Sequence, residues 1–255
     1  MSAEQLIAVD DVSFSYERRK TAVGSVKELA IHALRGSREV ERVWALRDVS
    51  LHVGHGEVVG VVGANGAGKS TLLRLVGRIL VPTAGRIVLR GRVASVLELG
   101  SALSPELDGR DNIVLYGTLL GRDPATMRRR AEEIAEWAGL RDVLDEPVRT
   151  YSTGMAARLA FAVATDGEPD VLIVDEVLAV GDLDFRDRSR ERMDALMHSG
   201  SATLLVSHDL ELVAARATRA MWLTEGRTGA VGEPMKVIEA YVHDAERRAG
   251  MHLQR

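Results

Sequence analysis

Cysteine is absent from the 255 residues, which excludes disulfides and any thiolate-ligated metal. Lysine is scarce: it occurs only at Lys20, Lys27, Lys69 and Lys236, and arginine supplies nearly all the positive charge. The formal net charge is only −4, so nothing marks the whole chain as a nucleic-acid binder. No apolar run approaches the roughly 18–20 residues that span a bilayer. The first seven residues lack both a basic n-region and an apolar h-region, and so predict no secretory leader. There is no internal repeat and no low-complexity stretch. These absences predict a soluble, cytosolic chain that reaches a membrane only through a partner. The length suits one large or two small domains with ample core.

What is present is a glycine loop with a specific spacing. Gly63-Ala64-Asn65-Gly66-Ala67-Gly68-Lys69-Ser70 follows the apolar run Val58–Val62 and leads into Thr71-Leu72-Leu73-Arg74-Leu75-Val76. Strand, glycine loop and helix in that order form a nucleoside-triphosphate cradle. The glycines let backbone N–H groups turn toward phosphate, and the helix N-terminus adds its positive dipole end. Lys69 is expected to reach the β and γ phosphates, and the Ser70 hydroxyl to ligate Mg²⁺. The chain is expected to bind ATP or GTP.

Elsewhere the pattern alternates between strands and helices. Residues 5–16 alternate as a strand ending at Tyr16, and 44–53 read as another. Between them, over about 17–43, Val23, Val26, Leu29, Ala30, Ala33 and Leu34 recur at helical spacing, predicting an amphipathic helical insert. Pro82–Gly85 reads as a turn, 86–89 as a strand and 92–99 as a further strand or near-strand. The stretch 104–165 reads as a helical subdomain, 184–198 as a charged helix, and 237–242 as a short terminal helix in a tail of residues 226–255. Together these predict an α/β fold with a mostly parallel sheet.

Three further segments carry candidate chemistry. Val171-Leu172-Ile173-Val174-Asp175-Glu176 is a buried-strand pattern closed by two acids. Asp175 is expected to hold Mg²⁺, and Glu176 to orient and deprotonate the attacking water. Apolar strands ending in acids are common; what gives this one meaning is its place about 100 residues after the phosphate loop. Leu204-Leu205-Val206-Ser207-His208 is a second such strand, which sets His208 at its end as a γ-phosphate sensor. The other six histidines read as surface residues. Tyr151-Ser152-Thr153-Gly154-Met155 opens a helix, where Ser152 serves either as a plain N-cap or as part of an anion site.

In this order, these elements resemble the nucleotide-binding subunit of ABC transporters, from about residue 5 to 225. The resemblance implies a P-loop NTPase fold: a RecA-like parallel core, an antiparallel β subdomain and a helical subdomain. It implies an ATP site of Tyr16 against adenine with Gly63, Asn65, Gly66, Ala67, Gly68, Lys69, Ser70 and Thr71, and Mg²⁺ at Ser70 and Asp175. Glu176 and His208 take the catalytic positions, Glu98 the Q-loop and Asp182 the D-loop. The family works as a head-to-tail homodimer, so Ser152, Thr153 and Gly154 would meet ATP held by the other subunit.

Two departures narrow the branch. Glu98 stands where glutamine is usual, and Tyr151, Thr153 and Met155 depart from Leu-Ser-Gly-Gly-Gln. Both are similar to the branch that exports lipid-linked polysaccharides such as O-antigen, wall galactan and teichoic acid. So are the run from Leu97 to Asn112 and Val177-Leu178-Ala179-Val180-Gly181-Asp182. The resemblance implies a peripheral location on the cytoplasmic face of the inner membrane and an integral membrane permease as partner, with no nucleic acid. The 17–43 insert is either near the lipid-linked substrate or a surface helix packed on the sheet. The 30 residues after 225 are too few for an appended sugar-binding domain. Export of another cargo, such as a lipid or drug, and a soluble ABC-type ATPase remain as alternatives.

Overall fold

The computed structural model describes residues 5–19, 40–97, 103–175 and 183–252. Two sheets share one core. β1 (Gln5–Arg19), β2 (Val40–Gly54) and β4 (Ala84–Leu89) form an antiparallel sheet in the order β2-β1-β4. The second sheet runs β5-β6-β7-β3-β8-β9, from β5 (Val93–Ser95), β6 (Val171–Asp175), β7 (Ala202–Val206), β3 (Val58–Val62), β8 (Arg219–Thr224) and β9 (Arg227–Gly232). All its pairings are parallel except β8 with β9.

β3 and β7 are buried along their whole length, and β6 up to its last residue. That is why their sequences read as unbroken apolar runs: a parallel strand is covered on both faces. On one face Val59, Val61, Ile173 and Leu204 pack with α1 (Lys69–Val76) and with Ile7, Val9 and Leu51 of the antiparallel sheet. On the other face Leu172, Val174 and Leu205 pack with the helical subdomain and α5 (Leu183–His198).

The helical subdomain comprises α2 (Gly109–Leu119), α3 (Pro124–Ala138) and α4 (Thr153–Ala164), with 3₁₀ turns at Arg141–Val143 and Val148–Thr150. Its helix starts follow capping chemistry. Asp108, Asp123 and Ser152 accept from the backbone N–H of Asp111, Thr126 and Met155 at 2.7, 2.8 and 3.2 Å. Gly139, at φ 68°, closes α3 in the left-handed conformation that favours glycine.

Three sequence expectations shift. The strands reach into the expected 17–43 insert: the β1–β2 ladder continues to Arg19 opposite Val40, with Glu17 opposite Arg42. Opposite charges across a ladder support strand pairing, although charged stretches beside apolar helical spacing read as helix. The rest of the insert, 20–39, lies outside the described residues. Ala84 and Gly85 belong to β4 rather than to a turn. The terminal helix, α7 (Pro234–His252), is 19 residues long, and the boundary expected at 225 falls in the tight turn between β8 and β9. Val237 and Ile238 of α7 are buried with Val62, Val213 and Ala220, Val213 coming from α6 (Leu210–Arg216), so the tail packs on the core.

Candidate active site

The phosphate loop is shaped by backbone that only glycine tolerates. Gly63 (φ 151°), Gly66 (φ 79°) and Gly68 (φ 105°) all take positive φ. A Cβ on Gly63 would collide with the Leu223 carbonyl of β8, so the loop leaves β3 in close contact with its neighbour. Ala67 ties the loop down: its N–H donates to Ala64 O at 3.1 Å and its carbonyl accepts from Gly226 N at 3.1 Å.

α1 starts differently from α2, α3, α4 and α6. Asp108, Asp123, Ser152 and Asp209 cap those four with a side-chain oxygen, whereas the cap of α1 is Gly68, which has none. Its first turn holds no acidic residue either. No side chain therefore caps the start of α1, where the helix dipole favours an anion. Lys69 is only 6% exposed. Its ammonium donates to the Gly63 and Ala64 carbonyls at 2.6 and 3.0 Å, across the same loop. An uncapped helix start, a positive-φ loop and a buried lysine fit a polyphosphate. Asn65, Gly66 and Ser70 are exposed on its rim.

Strand register brings the other candidates to this end of the sheet. Asp175 is level with Val206, and Val206 is level with Val61. Hence Gly63, His208 and Asp175 all sit at or just past the C-terminal ends of three adjacent parallel strands, where open α/β sheets bind ligands. Asp175 is half-buried and His208 exposed. Among the described residues no group of three or more His, Cys, Asp or Glu side chains could hold a metal alone.

Tyr16 borders the loop. Its hydroxyl lies 3.4 Å from that of Thr71 on α1, its ring stands edge-on to Phe14 at 4.9 Å, and 41% of it is exposed. An exposed aromatic face next to the phosphate loop suits a nucleobase. Glu98, Glu176 and Asp182 lie outside the described residues.

The sequence profile of the ABC transporter family matches residues 46–179, more than half of the chain. The chain belongs to the ABC transporter family. It is 43% identical over 222 residues to the O-antigen export system ATP-binding protein RfbB of Klebsiella pneumoniae, covering 86% of this chain and 90% of that one. It is 41% identical over 241 residues to the protein of the same name from Myxococcus xanthus, covering 92% of this chain but spanning only 55% of that longer protein. The teichoic acids export ATP-binding protein TagH of Lactococcus lactis is 38% identical over 205 residues, covering 80% of this chain and 44% of that one. A solved ATP-binding subunit of an ABC transporter matches the fold with a TM-score of 0.68 at 24% identity, over 96% of this chain and 93% of that one. A dimeric ATP-binding cassette in a post-hydrolysis state with ADP and phosphate gives the same TM-score at 20% identity, covering 89% and 98%.

This ABC cassette is an ATP-hydrolysing subunit, and the remaining motif lies in its helical subdomain. Ser152 and Thr153 are exposed at the start of α4, and the Ser152 hydroxyl caps the helix through Met155 N. The N-cap reading of Ser152 is borne out, and its hydroxyl sits on a residue that stays exposed. Gly154 is informative for what it does not touch. It has no positive φ, and a Cβ there would meet nothing nearer than Ser152 Oγ at 3.9 Å. The cassette's own fold does not require glycine at 154.

Tyr151 has a structural task. Buried, it donates its hydroxyl to the Val143 carbonyl at 2.7 Å, locking the start of α4 to the 3₁₀ turn at Arg141–Val143. Burial, reinforced by Glu146, Asp108 and Asp145, pushes its phenol up to about 12, so it remains a donor at neutral pH. Gly109 makes room: a Cβ there would sit 2.5 Å from that hydroxyl.

Sequence reasoning missed two residues that hold this subdomain in shape. Asn112, fully buried, accepts from Ser104 N at 2.7 Å and donates to the Ser104, Leu107 and Asp108 carbonyls at 2.9, 3.0 and 2.9 Å. It clamps the loop at 104–108 onto the start of α2. The available signal was a polar amide on the buried stripe with Ile113 and Tyr116. Asp166, only 5% exposed, gathers Arg130 at 2.9 Å and Arg122 and Arg192 at 3.7 Å each. Arg122 also donates to the Val163 and Ala164 carbonyls at 2.6 and 3.1 Å, capping the C-terminus of α4. Burial lowers the guanidinium pKa of both Arg122 and Arg192.

Proposed function

We propose that this ABC ATPase powers export of a lipid-linked polysaccharide across the cytoplasmic membrane. It would act as a homodimer on the cytoplasmic face, beneath a separate membrane-spanning permease. The cargo reading rests on one observation: relatives at 38–43% identity carry the names of O-antigen and teichoic acid export ATPases. O-antigen and teichoic acid are both long surface polymers. Among the described residues no helix is long and apolar enough to cross a membrane, so the permease must be another chain or lie beyond them.

The catalytic reading rests on the uncapped start of α1. Lys69 exchanges the Gly63 and Ala64 carbonyls for the β and γ phosphates of ATP, while the first N–H groups of α1 cradle them. Ser70 and Asp175 would hold Mg²⁺, which would supply positive charge against the negative charge developing on the phosphate oxygens. Tyr16 offers its exposed face to adenine. Glu176, next after Asp175, orients and deprotonates the attacking water, and such general-base assistance is worth roughly 10²- to 10⁴-fold. His208 bonds the γ-phosphate from the end of β7.

The second half of the site comes from the partner protomer. Ser152, Thr153 and Gly154 complete the ATP pocket in trans. The unconstrained Gly154 leaves space for a phosphate to approach the backbone closely. Asp182 follows at the dimer seam, and Glu98 leads into the loop that Asn112 clamps, where permease contact would be felt.

Depletion of the protein in its native cells tests the cargo. Polyprenyl-linked polymer should accumulate on the cytosolic side of the membrane. An unchanged lipid-linked pool would overturn polysaccharide export while leaving ATP hydrolysis standing.

A further inference from the structure

A cavity of about 300 Å³ lies between α5, the ends of β6 and β7, and the start of α6. Val174, Leu205, Leu212, Met193 and Met197 give it an apolar lining. Its volume is at the lower end of the range for small-molecule pockets, and methionines adapt readily to irregular ligands. Arg186 and Arg190 also line it, four residues apart on α5. Like charges so spaced on a helix repel each other.

Neither arginine makes an ion pair or hydrogen bond among the described residues. The cavity's two acids, by contrast, are engaged. Asp194 pairs with Arg216, and Asp209 accepts from Glu211 N and Leu212 N at 3.0 Å each. The cavity thus presents an apolar floor and, on exposed residues, two guanidinium groups that bond no acid among the described residues, with the Asp209 carboxylate turned to the backbone N–H groups of α6. We propose that it binds a small anionic amphiphile: an apolar body with a carboxylate or phosphate head held by Arg186 and Arg190.

The position gives binding a consequence. Val174 immediately precedes Asp175, and Ser207 and Asp209 flank His208. An occupant therefore packs against the ends of both strands that carry site residues. The phosphate loop is separate, since α1 packs on the opposite face of the sheet. Occupancy should change ATP turnover without competing with ATP. That consequence rests on the ATP-site reading above; binding itself does not.

The test uses the full chain with ¹³C-methyl methionine, titrated with decanoate or decyl phosphate below their micelle concentrations. Decanol serves as the uncharged control. Saturable shifts are expected at the Met193 and Met197 methyls, with at least tenfold weaker affinity for decanol. Arg186→Gln/Arg190→Gln should weaken both anions about tenfold and leave ATP affinity unchanged. No shift at those methyls would overturn the proposal. So would equal affinity in the double variant, equal affinity for decanol, or shifts that follow protein concentration and report a second copy instead. An unliganded protein that fails to hydrolyse ATP would count against the ATP reading alone, because the methyl titration is independent of it.

Discussion

The lock between Gly109 and Tyr151 can be weighed by a double-substitution cycle. Tyr151→Phe deletes the 2.7 Å bond to the Val143 carbonyl, a loss of about 1 kcal/mol for a partly buried neutral pair. Gly109→Ala places a Cβ 2.5 Å from the Tyr151 hydroxyl and 2.8 Å from the Leu144 carbonyl. Overpacking of this kind costs about 1–3 kcal/mol. Alanine's better helix propensity returns about 1 kcal/mol at the start of α2. The net cost of Gly109→Ala is therefore about 1 kcal/mol. Once Tyr151→Phe has removed the hydroxyl, one of the two obstacles is gone, so the double variant should lose about 1 kcal/mol in total rather than about 2. Equilibrium urea unfolding followed by circular dichroism, with an unchanged denaturant slope, measures each corner. Because the Tyr151 phenol is pushed to about 12, the cycle should give the same coupling throughout neutral pH. Costs that add within about 0.5 kcal/mol would refute the lock.

Three further outcomes follow from the charge arrangement. Asp166→Ala removes the buried carboxylate that three arginines share, while Arg122 keeps the Val163 and Ala164 carbonyls, Arg130 keeps Glu133 and Arg192 keeps the Thr165 carbonyl. The loss of charge-assisted bonds should destabilise by about 2 kcal/mol, read as a fall in urea midpoint, with Asp166→Asn recovering part of it. Asp10 is held below its ordinary 3.8 by the bond from His52 and then Arg86, and Asp123 likewise by the Thr126 hydroxyl and N–H. A lowered folded pKa means a contribution present above pH 3.8 and lost as pH falls through the lower folded values, so Asp10→Asn/Asp123→Asn should flatten the acid limb of a stability–pH curve. Arg248 on α7 bonds Glu225 at 3.0 Å and Thr224 at 3.2 Å, beside the Gly226 N–H that holds Ala67 of the phosphate loop. Arg248→Ala should weaken ATP affinity a few-fold with little change in maximal turnover, in a filter-binding and steady-state comparison.

The phosphate loop was legible because its chemistry is local: glycine spacing, one lysine and one serine act within eight residues. β3, β6 and β7 were legible for a related reason, since burial on both faces leaves an apolar run and the functional residue marks its end. Partners distant in sequence left no such trace. Nothing near Tyr151 points to Gly109, and nothing near Asp166 points to Arg122, Arg130 and Arg192. Element ends were misjudged where polar residues carry on a regular element. β1 and β2 extend through charged residues that face one another across the ladder. α7 continues past Val242 on a solvent-facing pair, Arg248 with Asp244 at 2.7 Å, four residues apart. Glu98, Glu176 and Asp182 lie outside the described residues, so their roles rest on motif position alone.

The proposed mechanism makes the ends of β3, β6 and β7 one ATP-hydrolysing site completed by a second copy of the chain. The most direct measurement is ATP turnover together with solution mass for the wild type, Glu176→Gln and Lys69→Ala. Glu176→Gln with ATP should form a stable dimer retaining unhydrolysed ATP, and Lys69→Ala should bind ATP weakly and not dimerise in response to it. A Glu176→Gln variant that turns over ATP at the wild-type rate, or stays monomeric when saturated with ATP, would contradict that mechanism.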